Sequence, residues 1–251
     1  MSEIQRIIDF EINFPRIFTN VEERDYGLLF NNIENPISYD SNHAVIIDGK
    51  DLDYAIKDIE KFYSEKRLIP IIYPSLADGE LDRLKPYLIK YRFTIDEKDA
   101  DLCLVHRNKS RIDTPHNLSF KRVFEIDDSI VNNVLESSDA MRITTLMKRR
   151  LKYDKFHLLI GYLNDEIPVT MASIEFNENG IARIDDVLTG VNYRGKGYAR
   201  QITQFFVDYH YQHSNNIIYL FSENPTAIKI YKESGFIPFE HQFQIWMAQK
   251  K

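Results

Sequence analysis

The sequence predicts a mixed α/β protein of two domains, in which helices pack on sheets with both parallel and antiparallel strands. First, 251 residues, 43% hydrophobic and 28% charged, suffice for two domains of ordinary size. Second, apolar segments of strand length alternate with amphipathic segments of helical period in both halves. Third, residues 107–117 are polar, contain Pro115 and follow neither period, which indicates a linker. We therefore expect domains at residues 1–110 and 118–251.

The first half shows, less clearly, an order of helices and strands that is also expected in the second half. Its expected elements are a helix at 51–65, a strand at 68–73, a helix at 79–91 and a strand at 101–106. The segment Tyr91-Arg92-Phe93 after its second helix is similar to Ser234-Gly235-Phe236 in the second half. These similarities predict a divergent repeat of one structural unit.

The second half has a regular order of strands and helices. Asp127-Asp128-Ser129 is a helix-start signal, and Asn179-Gly180 is a hairpin signal. The expected elements are a strand at 120–126, two helices reaching residue 153, strands at 157–163, 169–176 and 181–189, a helix at 198–213, a strand at 217–221, a helix at 224–234 and a strand at 239–248.

Composition restricts the partners and the compartment. A formal net charge of -6 disfavours a general attraction to nucleic acid or to an anionic membrane, and favours small-molecule or protein partners. The single cysteine, Cys103, has no internal partner for a disulfide and lies in an apolar run. No signal peptide or stretch of transmembrane length is evident. We expect a cytoplasmic protein.

The most informative segment is the loop Arg194-Gly195-Lys196-Gly197, between an expected strand and an expected amphipathic helix. The first turn of a helix offers unpaired N–H groups and the positive end of the helix dipole, and glycines allow an anion to approach closely. Neither the P-loop pattern nor the dinucleotide glycine pattern fits. The loop therefore predicts a site for a diphosphate.

Two motifs together resemble the GNAT superfamily of N-acetyltransferases. Arg194, Gly197 and Ala199 meet the spacing of the family's loop, and Asn224, Ala227, Tyr231 and Gly235-Phe236 meet that of its second signature. The resemblance covers the second half and implies the GNAT-like acyl-CoA N-acyltransferase fold. With the repeat, it implies two such domains in tandem, the first one degenerate. The first half lacks the loop and is expected not to bind CoA.

The resemblance implies an N-acetyltransferase that moves acetyl from acetyl-CoA to a primary amine by direct attack in a ternary complex. It implies that Asn224 bonds the pantetheine arm and that Tyr231 is the general acid for the CoA thiolate. The other implied cofactor contacts are the backbone of Val187, Leu188 and Thr189 for the arm, and Arg194, Gly195, Lys196, Gly197, Tyr198, Ala199 and Arg200 for the diphosphate.

The general base is left open by the sequence. Asp185 and Asp186 are best placed, on the strand before the cofactor contacts, but adjacent strand residues point to opposite faces. At most one of them should therefore face the substrate, unless a bulge intervenes. Glu175 and Glu223 are alternatives. The oxyanion would meet a backbone N–H, most simply that of Leu188 or a neighbour.

Two other functions stay open: a non-catalytic acyl-CoA-binding sensor, and an aminoacyl-transferase with tandem GNAT-like domains. The acceptor is expected to be a small-molecule or peptide amine, and the sequence indicates no oligomeric state. His210 and His213 are three residues apart without a completing cluster, so no metal is expected. The basic run Lys148-Arg149-Arg150 is interpreted as a solvated helix face.

Overall fold

The computed structural model describes residues 1–98, 102–107 and 117–251. Most of the expected linker, residues 108–116, lies outside the described residues. The chain forms two compact units: Met1–Ala100 together with Phe243–Lys251, and Asp101–Gln242. Among the described residues, every helix is too short or too polar to cross a lipid bilayer.

The first unit is built on a six-stranded sheet. Its elements are α1 (Glu3–Asn13), β1 (Asn20–Arg24), β2 (Gly27–Asn31), β3 (Ala44–Ile46), α2 (Leu52–Glu65), β4 (Ile71–Tyr73), α3 (Glu80–Lys90), β5 (Phe93–Lys98) and, from the end of the chain, β13 (Ile245–Lys250). The strand order is β1-β2-β3-β4-β13-β5. Only β3 and β4 pair in parallel among these strands, and α2 joins them.

The second unit is built on a seven-stranded sheet. Its elements are β6 (Leu102–His106), β7 (Leu118–Val123), α4 (Asp128–Val134), α5 (Ala140–Arg150), β8 (Phe156–Leu163), β9 (Ile167–Phe176), β10 (Ile181–Thr189), α6 (Tyr198–His213), β11 (Ile217–Ser222), α7 (Pro225–Glu233) and β12 (Ile237–Pro238). The strand order is β12-β6-β11-β10-β9-β8-β7. Here α6 joins the parallel pair β10 and β11.

The core of the second unit lies between α6 and one face of the sheet. Ile202 and Phe206, four residues apart on α6, are fully buried against Ile174 of β9 and Ile184 of β10. This spacing is that of neighbours on one face of a helix. The core fixes the position of the first turn of α6 relative to the end of β10.

The two units repeat one arrangement, as the sequence predicted. In each, a series of antiparallel strands, β1 to β3 in the first unit and β7 to β10 in the second, leads into a parallel pair joined by a helix, and a further helix follows. That helix ends in both units at a residue with positive φ, Arg92 (60°) after α3 and Gly235 (93°) after α7. Both are followed by a buried phenylalanine, Phe93 or Phe236.

The units differ from the expected domain boundaries, 1–110 and 118–251, by a reciprocal exchange of strands. β6 comes from the first half of the sequence but lies between β11 and β12 of the second sheet. β13, expected at 239–248 as the last strand of the second half, lies instead between β4 and β5 of the first sheet. The alternation on β13 explains its place, because Trp246 and Ala248 complete the core of the first unit.

Candidate functional site

The glycine loop before α6 has the backbone that its sequence predicts. Gly195 and Gly197 adopt left-handed conformations, with φ of 75° and 80°. No atom lies within 4 Å of the place where a Cβ would stand at either residue. The glycines are thus required by backbone conformation, since other residues at such φ cost about 1–2 kcal/mol, and they leave space in front of the helix.

The same loop presents unused hydrogen-bond donors. Within the described residues, none of the backbone N–H groups from Gly195 to Arg200 donates to a protein acceptor. Lys196 is exposed beside them, with its ammonium 5.5 Å from the ring centroid of Tyr193. A set of converging N–H groups at the positive end of a sixteen-residue helix is suited to an anion.

Two predicted arginines at this site already have carboxylate partners. Arg194 donates to Glu136 at 2.6 Å and, through Nε, to the carbonyl of Thr189 at 3.1 Å. Arg200 forms an ion pair with Glu233 of α7. Both arginines are exposed, so they can exchange these partners for phosphate oxygens at little cost.

A gap opens between the parallel strands beside this loop. Pairing of β10 with β11 ends at Arg183 and Tyr219, although β10 continues to Thr189 and β11 to Ser222. Past this point, the side of β10 that faces β11 has no strand partner. The backbone groups there are available to an extended ligand.

The pleat of β10 decides which residues face the gap. Gly190 donates its N–H to Val169 of β9 at 3.0 Å, and the carbonyl of Leu188 accepts from Thr170 Oγ1 at 2.7 Å. Leu188 therefore directs its backbone groups toward β9, and alternation leaves Val187 and Thr189 facing the gap. Of the N–H groups expected for an oxyanion, that of Leu188 or of a neighbour, this pleat favours a neighbour.

A bulge in β10 brings Asp185 and Asp186 to the same partner. The register with β9 shifts between Asp185 and Leu188, and Asp186 has φ of 51°. Nη1 of Arg150 lies 2.7 Å from Oδ2 of Asp186 and 3.6 Å from Oδ2 of Asp185. Adjacent strand residues normally point to opposite faces, but the bulge lets both carboxylates reach the same guanidinium group.

The two carboxylates are not equally engaged. Asp185 Oδ1 accepts from the N–H of Asp186 at 2.9 Å, and its Oδ2 accepts from Arg183 at 2.5 Å. Asp186 Oδ2 accepts from Arg150 and from the hydroxyl of Ser173, both at 2.7 Å. Among the described residues, Asp186 Oδ1 has no hydrogen-bond partner, and it is not sealed from solvent.

Their environment separates the pKa values of the two carboxyl groups. Burial raises the pKa of Asp185, but the charges of Arg183 and Arg150 outweigh it and lower that pKa to about 2. Burial and the neighbouring charge of Asp185 raise the pKa of Asp186, against the opposing charge of Arg150. Asp185 is therefore a fixed anion, whereas Asp186 is the carboxyl group whose proton affinity is increased.

Tyr231 lies on α7 with its ring packed against Phe236 in the core of the second unit. It is 6% exposed, and its hydroxyl makes no hydrogen bond within the described part of the chain. Burial and the charge of Asp185 raise its pKa above the ordinary value of 10.0. The hydroxyl therefore stays protonated at neutral pH and can act as a donor.

Asn224 caps α7 through the oxygen of its side-chain amide. Its Oδ1 accepts from the N–H groups of Thr226 at 2.9 Å and Ala227 at 3.2 Å. Its Nδ2 has no acceptor among the described residues. The side chain thus has one end fixed by the helix and one donor left for a ligand carbonyl.

Of the alternative acids, Glu175 is buried on β9 and Glu223 is exposed before α7. Sequence reasoning missed Arg150, which is 2% exposed rather than part of a solvated face. The burial of Arg150 could have been predicted from its helical spacing with Ile143 and Met147, two buried residues on the same face of α5.

The two histidines of α6 are bonded to main-chain carbonyl groups. His210 Nε2 lies 2.7 Å from the carbonyl oxygen of Asn216, and His213 Nδ1 lies 2.7 Å from that of Tyr209. These bonds account for one nitrogen of each ring without a metal.

The first unit lacks the corresponding groups. Asp51 caps α2, and its carboxylate accepts from the N–H of Tyr54 at 2.9 Å. When the two units are aligned at Arg92 and Gly235, the residues with positive φ after α3 and α7, Leu88 corresponds to Tyr231. Leu88 is fully buried. The helix that joins the parallel pair of the first unit therefore lacks an open start, and α3 lacks a tyrosine at the position that corresponds to Tyr231.

Comparison with known proteins agrees with this geometry. Residues 125–236 match the model of the family described as "Acetyltransferase (GNAT) family". No curated protein was found to match the chain.

Several solved structures share the fold over most of the chain. A GCN5-related N-acetyltransferase from Kribbella flavida has a TM-score of 0.69 and 13% identity, with 100% of this chain and 96% of that chain covered. A functionally unknown conserved protein from Staphylococcus epidermidis has a TM-score of 0.62 and 16% identity, with 93% and 94% covered. A tandem GNAT protein from the clavulanic acid biosynthesis pathway has a TM-score of 0.58 and 12% identity, with 82% and 75% covered. At these identities the likeness concerns the fold, which is a tandem GNAT-like one.

Proposed function

Because residues 125–236 match the model of the GNAT acetyltransferase family, we propose that this protein is an N-acetyltransferase that uses acetyl-CoA. The acceptor is a primary amine of a small molecule or peptide, and it attacks the thioester directly in a ternary complex. The family supports acyl transfer in general, and the geometry of the second unit supports the finer assignment.

The observation that carries the proposal is the set of N–H groups from Gly195 to Arg200 that have no protein acceptor. Unpaired donors at a helix start are satisfied by capping side chains, by water or by a ligand. Here the capping position is Gly197, which has no side chain to do so. A diphosphate supplies the negative charge and the several acceptor oxygens that the loop lacks.

The pantetheine arm would follow the gap between β10 and β11. Its amide groups would pair with the backbone of Val187 and Thr189, the residues of β10 that face the gap. Asn224 Nδ2 would donate to a carbonyl of the arm. This course supports delivery of the thioester from the diphosphate loop toward Tyr231.

Asp186 is the proposed general base. Its Oδ1 has no partner among the described residues, whereas hydrogen bonds engage both oxygens of Asp185. The acceptor enters as an ammonium ion and gives a proton to Asp186. The free amine then attacks the carbonyl carbon, the C–S bond breaks, and the hydroxyl of Tyr231 donates its proton to the departing thiolate. Asp186 releases its first proton to solvent, after which it, or a water chain ending at it, takes the second proton from the new amide nitrogen and passes that on as well. One proton returning from solvent restores Tyr231, so one proton is released per turnover.

Calorimetric titration with acetyl-CoA and with CoA tests the proposal. Gly197→Glu places bulk and negative charge in the loop and should abolish binding. Gly79→Glu is a matched control, because Gly79 also precedes a helix, has φ of 69° and has open space around its Cβ position. It carries the same backbone strain in the first unit, and we expect it to bind acetyl-CoA normally.

The outcomes separate the three functions. Loss of binding in Gly197→Glu alone supports the acetyltransferase and justifies a screen of amine acceptors. Binding by the wild type without turnover on any amine would favour the acyl-CoA-binding sensor. Absence of binding in the wild type would reject the proposal and leave the aminoacyl-transferase to be tested.

A further inference from the structure

We propose that Arg150 is a positioning residue for the acyl transfer: it holds Asp186 in the bulge with Oδ1 open to the acceptor amine. This inference rests on the proposed function. The effect of Arg150 on Asp186 can nevertheless be measured without turnover. The assignment comes from geometry, since Arg150 does not belong to either motif of the GNAT resemblance.

Arg150 is held in place from several sides. It is the last residue of α5 and is 2% exposed. Its guanidinium carbon lies 4.3 Å from the ring centroid of Phe156, the first residue of β8. A guanidinium fixed over an aromatic face has little rotational freedom to lose when it binds a carboxylate.

The contact with Asp186 stabilises an unfavourable backbone. Asp186 has φ of 51°, a conformation that is uncommon for residues other than glycine. Its side chain is tied down at Oδ2 by Arg150 and by Ser173 of the neighbouring strand. The two bonds occupy the same oxygen, so the other oxygen, Oδ1, is left for the substrate.

Charged groups from α5, β9 and β10 lie at this place, next to the neutral hydroxyl of Tyr231 on α7. Arg183 and Asp185 come from β10, Arg150 from α5, and Tyr231 from α7, where Asp185 acts on it. Glu175 of β9 lies opposite Arg183 in the strand register. The removal of Arg150 takes away one of the two guanidinium groups that contact the aspartate pair.

The expected effect follows from these charges. A base must be deprotonated to act, so activity falls as the pH drops below the pKa of Asp186. Loss of Arg150 removes a positive charge beside Asp186, and the pKa of this carboxyl group rises. The acid limb of the rate profile should therefore move to higher pH.

The test compares Arg150→Met and Arg150→Lys with the wild type. Arg150→Met should shift the acid limb of kcat upward by about one pH unit or more, a loss of about tenfold on that limb. Activity should recover at higher pH, and the KM for acetyl-CoA should change by less than about twofold. Arg150→Lys, which keeps the charge, should fall between the two. Lys148→Met, an exposed neighbour on the same helix, should behave as the wild type.

A second readout makes the inference independent of the proposed function. Carbon-13 NMR of the carboxyl groups follows the titration of Asp186 directly, with Asp186→Asn to assign the signal. We expect a higher titration midpoint in Arg150→Met than in the wild type. An unchanged midpoint overturns the inference whether or not the protein transfers acyl groups. Should Arg150→Met unfold, Arg150→Lys carries the same comparison with a smaller expected shift.

Discussion

Asp51 and Gly197 occupy the same place in the two units, the residue immediately before the helix that joins the parallel strand pair. Asp51 closes the helix start with its own carboxylate, at 2.9 Å from the N–H of Tyr54. Gly197 leaves the helix start open. The residue at this place thus separates a self-capped helix start in the first unit from an open one in the second.

A CoA diphosphate at α2 would meet the charge of Asp51 instead of free N–H groups. The first unit also has Leu88 in the place of Tyr231. These two residues give a physical reason for the expectation that the first unit does not bind CoA.

Asp51→Ala should destabilise the first unit by about 1 kcal/mol, because the N–H of Tyr54 loses its acceptor. Asp51→Asn retains an acceptor and should cost only a few tenths of a kcal/mol. Urea unfolding of both variants measures the difference. Equal stability of the two would show that the cap contributes nothing.

Tyr231→Phe should lower kcat by about 100-fold and leave the affinity for acetyl-CoA within about twofold, since it removes the proton donor and keeps the ring. Steady-state kinetics and calorimetry measure the two effects. Tyr211→Phe is the control, because the hydroxyl of Tyr211 bonds to His106 elsewhere in the second unit. Unchanged turnover in Tyr231→Phe would reduce Tyr231 to a core residue.

Trp246→Ala should destabilise the protein by about 3–5 kcal/mol, as expected for a large core side chain. Trp246 is 2% exposed in the core of the first unit. Hydrogen exchange locates the effect: protection should fall at the amides of β4 and β5. Loss confined to β11 and β12 would place β13 in the second sheet, as the sequence order suggested.

His43 should make the stability depend on pH. Burial lowers the pKa of this residue from 6.5 to about 4, although hydrogen bonds to the Tyr39 and Asp40 carbonyls oppose the shift. The unfolded chain therefore binds more protons than the folded chain between pH 4 and 6.5, so stability falls as the pH drops through this window.

Between pH 7 and pH 5, the protonation of His43 in the unfolded chain should lower the free energy of unfolding by about 2 kcal/mol. Urea unfolding at both values should show a smaller loss in His43→Asn than in the wild type. An asparagine can still donate to the carbonyl of Tyr39, and the absolute stability of the variant does not enter the comparison. An equal pH dependence in both proteins would contradict the prediction.

Much of the second unit could be predicted from sequence because its elements are long and regular. The helix expected at 198–213 and the strand expected at 181–189 have the bounds that the structure gives to α6 and β10. The loop conformation at Gly195 and Gly197 followed from residue type alone, since the left-handed region strongly favours glycine.

The first 50 residues carried no such signal. Their three strands are short, and the segment between β2 and β3 is stabilised by side chains instead of by a hydrophobic period. Asn42, for example, is buried and donates to the carbonyl groups of Asn35 and Ser38. Hydrogen bonds of this kind are invisible to patterns of hydrophobicity.

Long-range contacts were the other limit. The pairing of β13 with β4 and β5 joins distant parts of the chain, and local pattern assigned β13 to the half in which it stands. Likewise, Arg150 was interpreted from its basic neighbours Lys148 and Arg149, although its partner Asp186 lies on another element.

The exchanged strand also dictates an order of events during synthesis. β4 and β5 emerge from the ribosome early, but β13, the strand that belongs between them, is made after every other strand of both sheets. Until then the facing edges of β4 and β5 offer unpaired backbone groups, which in partly folded chains invite aggregation. The sheet of the first unit can therefore be completed only after every strand of the second unit has been made.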